Sequence, residues 1–371
     1  MRLLSVDVTD FRNIERGRLE PSPRTTVLVG DNGQGKTNLL EAINLAVTLK
    51  PLRAARLSEL VRFGAPRAAV ALSMEAPGGR RQVAVSVEPG GRTAYLDGKP
   101  LGSGDRLEAY FDGLAAVSFS PDDLLVVKGG PDLRRRFLDR AAFNRWPAVL
   151  TEAREYVRAL RSRNAALRTS SAEVEASFRG PLVRAGARLL LRRRAVLAEL
   201  APRVERAYAE ISGPGGPRAR IAYHPAANVH LDGTESDLAE RLAEALAART
   251  PRDRERGFTS AGPHMDDATF SLDDHLARAF GSQGQQRAFV LALKVAEIEN
   301  LRSVLGRPPL LLLDDVSSEL DPEKNRYLLE YLARLPGQAF LTGTDRRLLD
   351  RATSPDSVFY TVLGGALTRD N

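Results

Sequence analysis

Cysteine is absent from the 371 residues, which excludes a disulfide framework and any thiolate metal site. Histidine occurs four times, at 224, 230, 264 and 275, scattered without the ligand spacing of a zinc site. Lysine is nearly as scarce: Lys36, Lys50, Lys99, Lys128, Lys294 and Lys324 are all there are. No apolar run approaches the ~18 residues of a membrane span, and the amino terminus lacks the apolar core of a signal peptide. A soluble, cytoplasmic protein without membrane contact is expected. The chain does hold 43% hydrophobic residues, ample for a core, and its length calls for one large or two interleaved lobes. The net charge of +7 comes from arginine. That favours an anionic partner, although an arginine-rich, alanine-rich chain equally reflects genomic base composition.

The stretch that organises the chain is Gly30-Asp31-Asn32-Gly33-Gln34-Gly35-Lys36-Thr37. The apolar run Thr25–Val29 before it reads as a buried strand, and Asn38–Ile43 after it has helical spacing. Strand, GxxxxGK[ST] turn and helix together make a phosphate-binding loop. Its glycines let backbone N–H groups curl around phosphates, and the helix start adds the positive end of its dipole. Lys36 is placed to reach the β- and γ-phosphates of ATP, and the Thr37 hydroxyl to bind Mg²⁺.

In chain order, Leu4, Val6 and Val8 alternate with polar residues as in a strand, and Phe11-Arg12-Asn13 follows in a loop. From Ala68 to Leu101 period two persists through Val70, Leu72, Met74, Val83, Val85 and Val87, with Asp97-Gly98 as a type I′ hairpin signal. This predicts an antiparallel sheet unit beside the nucleotide core. Two helical runs follow, Trp146–Leu167 and Val183–Ile211, at 4,3 spacing, as in an antiparallel hairpin. Asn164, Arg194 and Pro202 interrupt the seam, so a helical lobe fits better than a free coiled coil. The triplets Arg134-Arg135-Arg136 and Arg192-Arg193-Arg194 read as solvated helix faces or as phosphate contacts. Leu238–Ala248 reads as a short amphipathic helix, and Gly262-Pro263-His264-Met265-Asp266-Asp267 leads into a strand with Ala268, Phe270 and Leu272.

Leu310–Leu313 ends in Asp314-Asp315. A buried strand delivering a carboxylate is a Walker B arrangement, with Asp314 on Mg²⁺ and Asp315 orienting the water that attacks the γ-phosphate. Upstream, Ser282-Gln283-Gly284-Gln285 opens an amphipathic helix, a second anion site. One nucleotide needs a single cradle, so a second suggests a site shared between two copies.

Ser282–Gln285 resembles the signature motif of ABC-type ATPases, and Ser317-Ser318-Glu319-Leu320-Asp321 resembles their D-loop. With Phe11-Arg12-Asn13, GDNGQGKT, GPHxDD, SQGQQR and LLDD, the chain is similar, from its first strand to about Thr344, to the bacterial RecF family, related to the heads of SMC and Rad50. The resemblance implies an α/β ABC-type ATPase head with a parallel or mixed P-loop core sheet, an added antiparallel sheet unit and an inserted helical lobe. Lobe I would be 1–122 with 260–371 and lobe II 123–259, with the signature near 280–290 at their junction. Arg12 and Asn13 would join Gly30–Thr37 in binding ATP, Lys36 and Asp315 would be catalytic, and Thr37 and Asp314 would hold Mg²⁺. The signature residues would act on a second subunit's nucleotide, with Asp321 linking the paired sites. It also implies an ATP-dependent homodimer that binds double-stranded DNA beside single-strand gaps, RecR as partner, help in RecA loading, and weak ATPase activity. Met265 replaces an expected arginine in GPHxDD, and Thr342-Gly343-Thr344 lacks a switch histidine, which points to slow hydrolysis. A non-catalytic DNA-binding scaffold with a vestigial nucleotide site is the alternative reading.

Overall fold

The protein is described from a computed structural model that defines residues 2–52, 56–76, 79–102, 107–169, 172–226, 229–315, 320–349 and 353–370. In chain order it runs β1 (Arg2–Phe11), β2 (Ile14–Leu19), β3 (Thr25–Val29), α1 (Lys36–Thr48), β4 (Ala68–Ala76), β5 (Gly79–Glu88), β6 (Gly91–Leu96) and β7 (Lys99–Pro100). Next come α2 (Leu107–Phe111), β8 (Ala116–Phe119), α3 (Leu124–Lys128), α4 (Pro131–Arg145), α5 (Val149–Thr169), α6 (Ala172–Ser177), α7 (Arg179–Ser212) and β9 (Ala219–His224). The chain closes with α8 (Glu235–Arg256), β10 (Asp267–Leu272), β11 (His275–Leu276), α9 (Ala277–Phe280), α10 (Gln283–Leu305), β12 (Leu310–Leu313), α11 (Pro322–Arg334), β13 (Ala339–Gly343), β14 (Val358–Leu363) and β15 (Ala366–Arg369). Two compact units result: Met1–Asp123 with Glu297–Asn371, and Leu124–Ala296.

The first unit holds two six-stranded sheets. One, in the order β2-β1-β4-β5-β6-β7, is antiparallel throughout. Its period-two residues Val70, Leu72, Met74, Val83, Val85 and Val87 are buried as expected, and Asp97 and Gly98 both take positive φ (50° and 77°) in the turn between Leu96 and Lys99, as a type I′ hairpin requires. The other sheet, β15-β14-β3-β13-β12-β8, is parallel except for its β15 edge. Helix α1 packs against strands of both. It is buried on nearly every face, as a helix lying between two sheets must be. The buried side chain of Gln338 behaves like a piece of strand backbone: it accepts from Leu3 N at 2.6 Å and donates to Leu3 O and Ser22 O at 3.0 and 2.8 Å. Several elements of this unit carry no reading in the sequence, among them β2 and the β14–β15 hairpin: Phe11 belongs to β1, and Arg12-Asn13 is only the turn into β2, while the hairpin turns on Gly364-Gly365.

The second unit combines α5, α7 and α8 with a three-stranded antiparallel sheet, β11-β10-β9. Helix α7 is 34 residues long, about 50 Å at 1.5 Å per residue, and packs along both α5 and α8. Its buried seam runs through Leu190, Arg193, Val196, Leu200 and Val204. The expected seam at Arg194, Leu197 and Ala201 is therefore one residue out of register, because the buried, ion-paired side chain is Arg193. Gly180-Pro181 lies in the first turn of α7, where proline's missing N–H is harmless. Helix α8 is longer than expected, starting at a capping box between Thr234 and Asp237. The sequence reading put the second lobe junction at 259/260; the compact units divide at 296/297, inside α10. The physical reason is strand pairing: Asp267–Leu272 pairs with Ala219–His224, which binds the 260–280 stretch to the helical unit.

At the centre of this unit Arg163, Glu175 and Asp253 are fully buried. Arg163 Nε donates to Glu175 (2.7 Å), and Nη1 donates to Asp253 (3.0 Å) and Thr259 Oγ1 (2.7 Å). Asp253 also accepts from Ser260 N at 3.0 Å, and Asn164 Oδ1 from Thr259 N at 2.8 Å. The cluster ties α5, α6 and α8 to the segment entering Gly262–Asp267. Among the described residues, no helix is long and apolar enough to cross a membrane. Arg163→Ala would leave the buried Asp253 without its cation, while Glu175 keeps Arg179, so it is expected to cost about 3–5 kcal/mol. Urea unfolding of parent and variant measures this.

Candidate phosphate-binding site

The loop between β3 and α1 is held by its neighbours within the first unit. A Cβ at Gly30 would come 2.3 Å from Val362 O, and one at Gly35 (φ +115°) 2.8 Å from Asn13 Oδ1. Only glycine tolerates such approaches, and Gly35 and Gly33 (φ +81°) also need its left-handed freedom. Asn13 Nδ2 donates to Gln34 O (3.1 Å) and Asn38 Nδ2 donates to Asn13 Oδ1 (2.8 Å). Arg12 Nε pairs with the buried Glu41 of α1 at 3.0 Å. The tip of the β14–β15 hairpin closes the other side: Gly364 N donates to Gln34 Oε1 (2.6 Å) and Gly365 N to Gln34 O (2.8 Å). Asp31, Asn32 and Gly33 stay exposed at the crest.

The predicted residues Lys36, Thr37, Asp314 and Asp315 come together. Parallel pairing of β12 with β13 and of β13 with β3 carries Asp314 alongside the start of α1. Thr37 Oγ1 donates to Asp314 Oδ1 at 2.7 Å. Lys36 Nζ donates to its own loop's Gly30 O and Asp31 O at 2.6 and 2.8 Å. Burial lowers the Lys36 pKa, against the opposing pull of Asp315, Asp314 and Asp31. Asp315 takes a left-handed φ of 46°, which aspartate tolerates better than most residues.

Thr342 is the residue that sequence reasoning missed. Its buried hydroxyl donates to Asp314 Oδ1 (3.0 Å) and accepts from Asp315 N (2.8 Å), so it positions both carboxylate-bearing residues. Thr342-Gly343-Thr344 drew notice only for what it lacks; a hydroxyl ending the strand beside Walker B was the available signal. Glu41 and Gly364-Gly365 were also missed. On the other flank, Phe119 O accepts from Asp314 N at 2.9 Å, and the Ser120–Asp123 turn is closed by Ser120 N donating to Asp123 Oδ2 at 2.7 Å.

Thr37 and Asp314 are hard oxygen donors converging at one point, which fits a small divalent cation. Among the described residues there is no cluster of three or more His, Cys, Asp or Glu able to hold a metal. A cation here would therefore depend on phosphate oxygens and water for most of its shell, as Mg²⁺ does beside nucleotides.

In the second unit Ser282 and Gln285 form a reciprocal cap at the start of α10: Ser282 N donates to Gln285 Oε1 (2.8 Å) and Gln285 N donates to Ser282 Oγ (3.2 Å). Gln283 begins the helix, and Gly284 leaves its first turn open. Asp321 caps α11, accepting from Lys324 N at 3.0 Å; Ser317, Ser318 and Glu319 lie outside the described residues. The Gly262–Asp267 motif is knitted internally. His264 Nε2 donates to Thr259 O (2.9 Å), so Nδ1 accepts from Tyr156 OH (2.6 Å). Asp266 accepts from Tyr223 OH and Ala226 N, and Asp267 takes a bidentate pair from Arg134. Met265 is exposed.

Neither arginine triplet is a solvated face. Arg134 is buried on Asp267, and Arg135 donates to Asp266 O. Arg192 pairs with Glu152, Arg193 with Asp139, and Arg194 donates to Leu231 O and Gly233 O; of the six only Arg136, against Asp132, is well exposed.

A family model described as the RecF/RecN/SMC N terminal domain matches residues 2–364, past Thr344 and through β14. The chain is 69% identical to the DNA replication and repair protein RecF of Anaeromyxobacter dehalogenans (strain 2CP-1), over 99% of both chains. It is 53% identical to that of Myxococcus xanthus, over 98% of this chain and 96% of the relative. A solved structure of the recombination mediator protein RecF with ATP in the RecFOR pathway superposes with a TM-score of 0.89 at 28% identity, covering 100% of this chain and 98% of the other.

Two outcomes are expected from this geometry. Thr342→Val removes the hydroxyl but keeps the shape, leaving the Asp315 N–H without its acceptor; a loss of about 1–3 kcal/mol should be seen in urea unfolding. Burial also holds the His264 pKa below its ordinary 6.5, with the bond to Thr259 O opposing. As pH falls the unfolded chain takes up this proton first, so the stabilisation is complete above about 6.5 and drains as pH drops through the lowered folded value. Thermal midpoints measured from pH 7.5 to 5 should fall more steeply for the parent than for His264→Asn.

Proposed function

The chain belongs to the RecF family of DNA replication and repair proteins, and from that premise we propose that it is an ATP-gated clamp on DNA. The observation that carries the reading is the junction of Thr37, Asp314 and Thr342, which binds the phosphate loop to the end of the Walker B strand. ATP phosphates sit in the N–H groups of Gly30–Thr37. Lys36 exchanges its bonds to Gly30 O and Asp31 O for phosphate oxygens, at little cost because one set of charge-assisted bonds replaces another. Thr37 and Asp314 would hold Mg²⁺, whose positive charge would be available to the phosphate oxygens. Asp315, fixed through its N–H by Thr342, orients the attacking water.

Closure needs a second copy. Ser282, Gly284 and Gln285 of one subunit cover the γ-phosphate held by the other, and Asp321 links the two sites in a two-fold dimer. For this the Ser282–Gln285 cap must open toward the nucleotide. The closed dimer grips double-stranded DNA beside a single-strand gap through its phosphates, with little base readout. It works with a RecR-type partner to load the recombinase, and slow hydrolysis releases it.

Light scattering and DNA anisotropy with no nucleotide, ATP and ADP test this reading. The parent should dimerise and bind DNA at least tenfold more tightly with ATP. Lys36→Met should lose nucleotide binding and the dimer, Ser282→Arg should keep ATP binding but stay monomeric, and Asp315→Asn should prolong the ATP dimer on DNA. DNA affinity indifferent to nucleotide would favour a scaffold with a vestigial site instead.

A further inference from the structure

The outer face of α5 carries charge that the helical unit does not use. Tyr156, Ala159, Arg163 and Ala166 are buried on one side of the helix, and Arg154, Arg158, Arg161 and Arg168 are exposed on the other. By helix geometry the four fall within a sector about 80° wide and span about 21 Å along the axis. The same sector holds Thr151, Val157, Ala165 and Thr169 and no carboxylate. Among the described residues none of the four arginines has an ion-pair partner.

The surroundings do not neutralise this row. The two acidic residues of α5 are engaged by α7, Glu152 with Arg192 and Glu155 with Arg188, each at 2.9 Å. Those pairs set the antiparallel register of the two helices, which brings the exposed Arg184, one turn before Arg188, alongside Arg158. On the other flank the segment 258–265 packs on α5 through Asn164 and Tyr156 and contains no acidic residue. At the far end the stem of Arg168 lies on Gly257, where a Cβ would come 2.8 Å from Arg168 Cγ. There Arg252, Arg256 and Glu255 of α8 are exposed, as is Glu173 of α6; neither glutamate pairs with the row.

A row of guanidinium groups without carboxylates suits a polyanion. The sector has no ring, so it lacks the stacking platforms that hold unpaired bases; Phe258, beyond Gly257, is a single exposed ring outside it. Its apolar side chains, Val157 and Ala165, are too few to anchor a helix in lipid. A duplex asks only for charge, and with about one phosphate per 1.7 Å of axis it meets a straight row of arginines along its whole length.

We propose that the Arg154–Arg168 face of α5 is the surface on which the helical unit takes the phosphate backbone of double-stranded DNA. This deepens the DNA-binding reading above and rests on it. The test compares the parent, a fourfold variant (Arg154→Gln, Arg158→Gln, Arg161→Gln, Arg168→Gln) and a control that loses equal charge from exposed arginines elsewhere (Arg67→Gln, Arg80→Gln, Arg206→Gln, Arg302→Gln). Anisotropy with ATP is read across a salt series for a blunt duplex and for oligo(dT), and sedimentation for phosphatidylserine vesicles. The fourfold variant should bind the duplex on the order of tenfold or more weakly, with the slope of log K against log salt reduced by about three to four per bound subunit. The control should stay near the parent, and ATP binding should be unchanged in both. Single glutamine variants, each expected to lower the slope by about one, keep the test open should the fourfold variant unfold. Parent-like affinity and slope would overturn the proposal. So would equal losses in variant and control, which mark net charge, or a loss confined to oligo(dT) or to vesicles. A parent that binds no duplex under any nucleotide condition would instead sink the DNA reading itself, and this surface with it.

Discussion

The constraint on which the nucleotide unit depends is the burial of α1 between two sheets. A helix covered on nearly every face cannot rotate or slide without breaking close packing, so the loop that opens it inherits a fixed position. The one carboxylate this burial traps, Glu41, is answered by Arg12 in the turn after β1. A buried charge must find its partner or lose its ionisation, and here the partner also sets the neighbouring Asn13 against the phosphate loop. Packing, electrostatics and the site therefore converge on a single short turn. The first sheet matters to the chemistry because it places that turn, although it contributes no residue to the Walker motifs.

The loop's own polar groups show how such a site stays folded before it meets a ligand. The amine of Lys36 is held by two carbonyls of the loop it serves, and the Thr37 hydroxyl by Asp314. Each of these bonds involves an atom that a phosphate or cation could take over. The capped start of α10 follows the same logic, with Ser282 and Gln285 satisfying each other's backbone. Preorganisation here means that ligand-facing groups already point along useful directions, while internal bonds hold the Lys36 amine, the Thr37 hydroxyl and the Ser282 and Gln285 backbone.

Much of this was legible in the sequence, and the reasons are physical. The phosphate loop, the Walker B strand and the Asp97-Gly98 hairpin are local patterns whose geometry forces particular residues at particular spacings. Thr342 could not be read in the same way, because its role exists only once β13 lies beside β12 and its hydroxyl meets Asp314. The β14–β15 hairpin was invisible as a site element for a similar reason: Gly364 and Gly365 acquire meaning from Gln34, some 330 positions away. The seam of α7 slipped by one residue because Arg193, read with its triplet as a solvated face or a phosphate contact, is buried with Asp139, while Arg194, read as the interruption, is not. Hydrophobic periodicity does not register a core position filled by an ion pair.

That last point changes how the chain's basic character should be weighed. Arg134, Arg135, Arg163, Arg192, Arg193 and Arg194 hold carboxylates or carbonyls inside the helical unit, and the guanidinium's planar fork suits it to such multidentate work where lysine would not serve. These arginines are thus structural cement, and four of them, Arg134, Arg163, Arg192 and Arg193, are matched by carboxylates. The net charge of +7 survives this cancellation, but five of the six triplet arginines do not express it outward. Electrostatic attraction for a polyanion would come largely from exposed arginines outside the triplets. A surface field of that kind attracts and orients a polyanion without fixing it in register, so the two triplets, held on carboxylates and carbonyls, say more about how the helical unit is cemented than about what it binds.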